Sequence, residues 1–394
     1  MTAVSETRSQ PKVAFWNDRK FRSIAVQLIL LIVVVLVAAA LIHNTYSNLK
    51  SRNIASGFGF LTKTAGFDII QSMIEYSSSS SYGRAIVVGL LNTILIAVLG
   101  IVGSTFLGFI MGVLRLSKNF IVSGLAASYI EFFRNVPLLL QIIFFYQVVL
   151  APLPAPRQAV NIADAFFLSN RGLIMPLPIW GDGAGTFLIF CLAAVIGVFA
   201  FARWARARQM ATGQILPVLW ISLAVLVIVP LIGFALGGFP LTFEYPELKG
   251  FNFQGGLHVL PELMALFVAL VVYTGTDIAE SVRAGIQAVS HGQTEAASAL
   301  GLRPGTTLRL VIIPQAMRVI IPPLASTYLS LTKNSSLAIA IGYPDIVATG
   351  GTVLNQTGQA IEIVGIWMVV YLSLSLLTSL FMNWFNARMK LVER

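Results

Sequence analysis

Residues 281–314 read SVRAGIQAVSHGQTEAASALGLRPGTTLRLVIIP, a polar, glycine-punctuated stretch set between apolar runs at 258–280 and 319–341. Thr294 is placed to cap a short helix of good helix formers, and Gly301 suits the left-handed stop at its end. After Arg303, Pro304 and Gly305, either Thr306 or Thr307 can cap a second short helix that ends near Pro314. The stretch therefore predicts a compact polar knob of two short helices between two long apolar ones.

Working outward, apolar runs fall at about 24–42, 86–114, 121–150, 186–202, 215–238, 258–280, 319–341 and 361–385. Runs near 20 residues match the roughly 30 Å of hydrocarbon in a bilayer. Over 394 residues the chain is 57% hydrophobic and 11% charged, with a mean hydropathy of +0.83. Soluble domains carry roughly 25% charged residues, so the apolar runs read as membrane helices and not as buried core. The expected fold class is all-α: a polytopic membrane protein with about eight transmembrane helices.

The formal charge of +10 does not mark a nucleic-acid surface, because the basic residues lie in short clusters between apolar runs. With the N-terminus inside, the inner segments hold 17 Lys and Arg residues and the outer segments 7. The positive-inside rule selects this orientation, with both termini cytoplasmic and the 281–318 loop on the inner side. A cleaved secretory signal is the rival reading of the first run, which follows basic residues and carries Ala38 and Ala40 in small-x-small spacing. Its length of about 19 residues exceeds a signal core of about 7–15 residues. The outer stretches are 43–85, with a serine run at 77–81 read as a flexible loop, then the proline-rich 151–185, then 239–257.

Glu295, Ala296 and Ala297, a three-residue gap, Gly301, a nine-residue gap, then Val311, Ile312, Ile313 and Pro314 resemble the EAA loop of ABC importer permeases. Val311 and Ile313 stand where that pattern prefers Ile and Leu, a conservative departure. The resemblance implies a type I importer fold of the MetI-like kind, with a five-helix core at 85–150 and 258–387. It leaves three extra spans: the first, within a 1–84 segment, and two more in an insertion at 151–257, with 388–394 a cytoplasmic tail. It also implies that Glu295, Ala296, Ala297, Gly301 and Pro314 belong to a coupling element that docks on a separate ATPase. Ala296 and Ala297 would allow close approach, and Glu295 could meet a basic group across the interface.

The enlarged form is similar to the larger permease subunit of general L-amino acid ABC importers. That likeness implies a bacterial inner-membrane location, a broad range of polar amino acids and no enzyme activity on this chain. The implied partners are ATPase subunits carrying ATP and Mg, a periplasmic solute-binding protein and a second, related permease in a heterodimer. No cofactor is expected on the chain itself.

Polar groups inside the runs supply the pathway candidates. Glu131, Arg134, Asn135, Pro137 and Gln141 lie in the third run, where each ion costs about 2.5–3.5 kcal/mol at a helix centre. Their spacing lets Glu131 and Arg134 pair on one face, and Pro137 can kink the helix. A structural ion pair that sets helix orientation is the competing explanation. The run Phe132 to Gln141 is also similar to the equivalent helix of polar amino acid permeases. In the seventh run Thr332, Lys333, Asn334, Ser335 and Ser336 interrupt apolar residues, too deep for Lys333 to snorkel easily. A substrate carboxylate, Glu131 or Asp277 could compensate the ammonium, while Asn334, Ser335 and Ser336 could bind a zwitterion or pack against helices. Lys333 through Leu337 resembles the Lys-x-Ser-Ser-Leu pattern of amino acid permeases.

Other chemistry is excluded. None of the eight lysines follows a glycine, so the chain has no Walker A sequence. His43, His258 and His291 lack metal-ligand spacing, and Cys191 is the sole cysteine. Secondary transport would also use buried charges, but gives no role to the polar knob.

Overall fold

The computed structural model describes residues 19–51 and 56–389. Helix α1 (Arg19–Ser51) is followed, after a segment at 56–81, by α2 (Tyr82–Arg115), α3 (Phe120–Asn135) and α4 (Leu138–Phe144), the last continued by a π turn to Leu150. Strands β1 (Val160–Ile162), β2 (Phe166–Ser169), β3 (Gly172–Met175) and β4 (Leu177–Trp180) precede α5 (Ala184–Thr212) and α6 (Val218–Leu236). Next come β5 (Leu241–Glu244), β6 (Glu247–Lys249), β7 (Asn252–Gln254) and β8 (Leu257–Val259). The chain closes with α7 (Pro261–Gln287), α8 (His291–Ala299), α9 (Pro304–Thr307), α10 (Ile313–Asn334), α11 (Ile346–Thr357) and α12 (Ala360–Met389).

Among the described residues seven helical stretches are long and apolar enough to cross a bilayer, and the pair α3 and α4, bent by 102°, brings the number to eight when it is taken as one broken span. This agrees with the eight runs expected. The bend itself is far sharper than a proline kink. Val136, forced towards extended backbone by the following proline, has φ −96° and ψ 126°, so the helix stops and restarts at Leu138.

The centre is a parallel pair of α2 and α7, along which Gly103, Gly108 and Gly112 meet Val271, Ile278 and Val282 in the same order. A Cβ on Gly108 would lie 2.5 Å from Ile278 Cβ, and one on Gly112 would lie 2.7 Å from the Ala279 carbonyl. Small residues thus bring the two backbones close, as in membrane helix pairs that cannot rely on the hydrophobic effect. Around the pair pack α3, α4, α10 and α11, with α12 lying on α10 and α11. Ile96, Ile142, Leu266, Leu270 and Leu331 form the central cluster, and Ile278, Val282, Ile320, Ile321 and Leu324 form a second towards the α8 end.

The remaining helices stand apart from this bundle. α1 exposes its apolar residues along its length and runs as one continuous helix past Ala38 and Ala40. α5 and α6 pack chiefly on each other, where Gly233 lies under the Phe190 ring. At the end opposite α8, strands form an antiparallel sheet in the order β1-β2-β3-β8, with separate pairs β4-β5 and β6-β7. The sequence reading contained no strands; they are only three or four residues long, too short to show alternation.

The segment before α2 corrects another expectation. Far from being a loose loop, the serine run is hydrogen-bonded: Ala65 N–H donates to Ser80 O at 2.8 Å and Gly66 N–H to Ser78 O at 2.9 Å. Ser81 caps α2 by accepting from Arg84 N–H. Phe60 and Ala65 are buried, and Asn92 Nδ2 donates to Gln71 O at 2.9 Å. Seryl carbonyls carry this structure, so a composition argument about small side chains missed it.

Candidate functional site

The polar knob forms, with different caps from those expected. α8 starts at His291, so Thr294 lies inside the helix and the N-cap position falls on Ser290. Arg303 is the N-cap of α9, with Pro304 in its first turn and Thr306 and Thr307 within the helix. Gly301 adopts φ +72°, the left-handed stop expected. Pro314 does not end a helix. The chain runs through a π turn (Leu308–Ile312) into α10, and Pro314 sits in the first turn of α10.

Glu295 is exposed on α8, 3.4 Å from His291 Nδ1. Ala296 is exposed beside it, whereas Ala297 is buried at 3% and faces the rest of the knob. Only Ala296 of the two alanines lies on the outer surface, because adjacent helical residues point about 100° apart.

Beside the α8 end of the bundle lies a cavity of about 310 Å³ between α3, α7 and α10, lined by Arg134, Asp277, Glu280, Ser281, Ala284, Val319 and Pro323. The Arg134 charge acts on both Asp277 and Glu280. Glu280 is already engaged by Arg283, whose Nε lies 3.1 and 3.2 Å from its two carboxylate oxygens. Asp277 has no such pair, so the cavity opposes one guanidinium to one carboxylate.

The predicted pairing of Glu131 with Arg134 does not occur. Glu131 Oε1 lies 3.6 Å from Arg115 Nη2 at the end of α2, and Arg134 turns instead towards α7. Asn135 Nδ2 donates to Glu131 O at 2.7 Å, closing the last turn of α3. Gln141 is buried, and its Nε2 donates to Phe133 O and Val136 O at 2.8 and 2.9 Å, bracing the bend from the α4 side.

The polar run in α10 marks a break and not a mid-helix patch. α10 ends at Asn334, and residues 335–341 continue as a 3-10 helix to Gly342 in the left-handed region. Ser335 Oγ donates to Thr332 O and Ser336 Oγ to Lys333 O, both at 2.8 Å, satisfying carbonyls that the helix end leaves free. Lys333 is exposed, Asn334 half-buried and Ser335 fully buried. Among the described residues no ion pair involves Lys333, and of the two proposed protein partners Glu131 is paired with Arg115 while Asp277 shares a cavity with Arg134. Its ammonium sits instead at a helix C-terminus, where the dipole favours a cation.

The general L-amino acid transport system permease protein AapQ of Rhizobium johnstonii is 54% identical over 377 residues, covering 96% of this chain and 94% of AapQ. The family described as binding-protein-dependent transport system inner membrane component matches residues 208–391. The chain belongs to this family of binding-protein-dependent transport permeases. The putative amino-acid ABC transporter permease protein YhdX of Escherichia coli is 52% identical, with 93% of this chain and 94% of YhdX covered. The glutamate/glutamine/aspartate/asparagine transport system permease protein BztB of Rhodobacter capsulatus is 41% identical, with 96% of each chain covered. A permease of this kind is a multi-span transport subunit and not an enzyme.

Sequence reasoning on the permease undervalued α7 and did not see α11. Asp277, Glu280 and Ser281 share the cavity with Arg134, a grouping that only the packing of α3 on α7 creates. Asp345 caps α11 by accepting from Ala348 N–H at 2.8 Å. An Asp directly before an apolar helical stretch was the available signal.

Proposed function

We propose that this permease carries polar L-amino acids of several kinds inward across the bacterial inner membrane, powered by ATPase subunits that dock on the 281–318 loop. The observation that carries this reading is the 310 Å³ cavity with Arg134 on one wall and Asp277 on another. A zwitterion presents one carboxylate and one ammonium, and such a cavity offers a partner to each. The relatives' names support the substrate class.

In this reading Arg134 and residues 333–336 line the pathway, while Glu131, Asn135 and Gln141 hold the bend that places Arg134. Glu295, Ala296 and Gly301 form the docking surface of the knob, Ala297 packs beneath it and Pro314 starts the helix that receives its motion. The knob and both termini face the cytoplasm, as the excess of basic residues on that side supports. The assembly contains a second, related permease and a periplasmic solute-binding protein. ATP and Mg bind the ATPase, and this chain holds no cofactor. The core comprises 85–150 and 258–387, with 151–257 an insertion, 1–84 a leading segment and 388–394 a tail.

Reconstitution tests the reading. Proteoliposomes containing the complete transporter are predicted to accumulate L-glutamine only when ATP and the loaded binding protein are both supplied. Uptake driven by an ion gradient in the absence of both would refute it.

A further inference from the structure

A second cavity, of about 470 Å³, lies at the end of the bundle opposite α8, between the 56–81 segment, the start of α7 and α11. Its size suits a small ligand. The only charged residues lining it are Asp68 and Glu262, both acidic. Its hydroxyl protons are already spent: Thr349 Oγ1 donates to Asp345 O at 2.7 Å and Thr352 Oγ1 to Ala348 O at 3.2 Å. Those oxygens therefore present lone pairs to the cavity. One Glu262 oxygen accepts from Tyr146 Oη at 2.9 Å, and the other carries no further described bond. The wall is thus rich in acceptors and carries one sign of charge, unlike the cavity at Arg134.

We propose that this outer cavity receives the cationic group of an incoming amino acid, an ammonium or a guanidinium, and that Asp68 and Glu262 make the permease favour basic over acidic substrates. A ligand carboxylate would meet two like charges there, whereas a cation would meet acceptors it can fully satisfy. Asp68 is placed by the pinned segment: Asn92 Nδ2 holds Gln71 O and Pro344 O, each at 2.9 Å, tying that segment to the chain entering α11. The proposal rests on the importer reading and adds a selective step before the mixed-charge cavity is reached.

The test uses the complete reconstituted transporter with saturating binding protein loaded with L-arginine or L-glutamate. In the double variant Asp68→Asn, Glu262→Gln, the ratio of arginine to glutamate transport is expected to fall about tenfold, since two attractive contacts are removed for one substrate and two repulsive ones for the other. Glu262→Gln retains an oxygen for Tyr146. Gly351→Phe fills the cavity, because nothing lies within 4 Å of its added Cβ, and is expected to slow both substrates. An unchanged ratio, an equal loss for both amino acids in the double variant, or full transport of both by Gly351→Phe would each overturn the proposal. Wild-type protein that moves glutamate and not arginine would overturn it too. Wild-type protein that moves neither would refute the importer reading instead.

Discussion

Arg115 Nη2 at the end of α2 lies 3.6 Å from Glu131 Oε1 in the last turns of α3, just before the chain bends by 102° at Pro137. The pair ties two successive helices together and leaves Arg134, three residues on, free to face α7. Two charges that look alike in the sequence are therefore assigned different tasks.

The first prediction separates those tasks. Glu131→Gln breaks a partly solvated pair and should cost at most about 1 kcal/mol, with transport largely retained. Arg134→Ala removes the only cation lining the inner cavity and should raise the half-saturating amino acid concentration by at least about tenfold. Uptake kinetics of both variants decide it; equal losses would mean that Arg134 also serves the fold alone.

Coupling depends on the backbone at Gly301. Its φ of +72° strains any L side chain by about 1–2 kcal/mol, so Gly301→Asp should tilt α8 while the protein still inserts. Glu295→Lys reverses a charge on the exposed face of the same helix. Both variants should show normal membrane levels, with ATP hydrolysis no longer stimulated by loaded binding protein. Wild-type stimulation in both would count against docking at this surface.

Stability should be most sensitive where α2 crosses α7. Gly108→Val places atoms against Ile278 at a site where even a Cβ is 2.5 Å from a neighbour, and overpacking of this kind costs about 1–3 kcal/mol. Thermal unfolding of the purified complex in detergent should shift down by several degrees. At Gly351 the same measurement should register little change, since its Cβ position is open.

Lys333 offers a charge test. Lys333→Met keeps length and apolar volume while removing the ammonium at the end of α10, and is predicted to lower transport severely, with Lys333→Arg intermediate. Transport assays on variants present at equal membrane levels check this. Full activity of the methionine variant would leave Lys333 with a packing role only.

The long uniform helices were legible in the sequence because apolar length alone defines them: α2, α7 and α12 begin and end within a few residues of the expected runs, except that α7 extends further into the polar stretch. Interruptions were harder. The Val136-Pro137 step was visible, but whether a proline kinks a helix or ends it depends on what braces the gap, and that brace is Gln141, from the far side. The end of α10 at Asn334 has no glycine or proline to announce it. Serine hydroxyls cap its carbonyls, and residues of this kind also suit a binding surface, so composition alone could not separate the two. The partner of Glu131 was misjudged because an (i, i+3) rule considers one helix, whereas Arg115 comes from another. The knob was readable as a unit, but its caps shifted and its second helix runs on through a π turn into α10 instead of ending near Pro314.

The most direct test of the account asks on which side of the membrane α8 lies and what touches it. Cys191 is the sole cysteine, so Glu295→Cys in a Cys191→Ser background carries one reporter thiol. The account predicts that in intact cells this thiol resists a membrane-impermeant maleimide, and that in inverted vesicles it cross-links to the ATPase subunit. Labelling from the outside of intact cells, with no cross-link in either orientation, would contradict it.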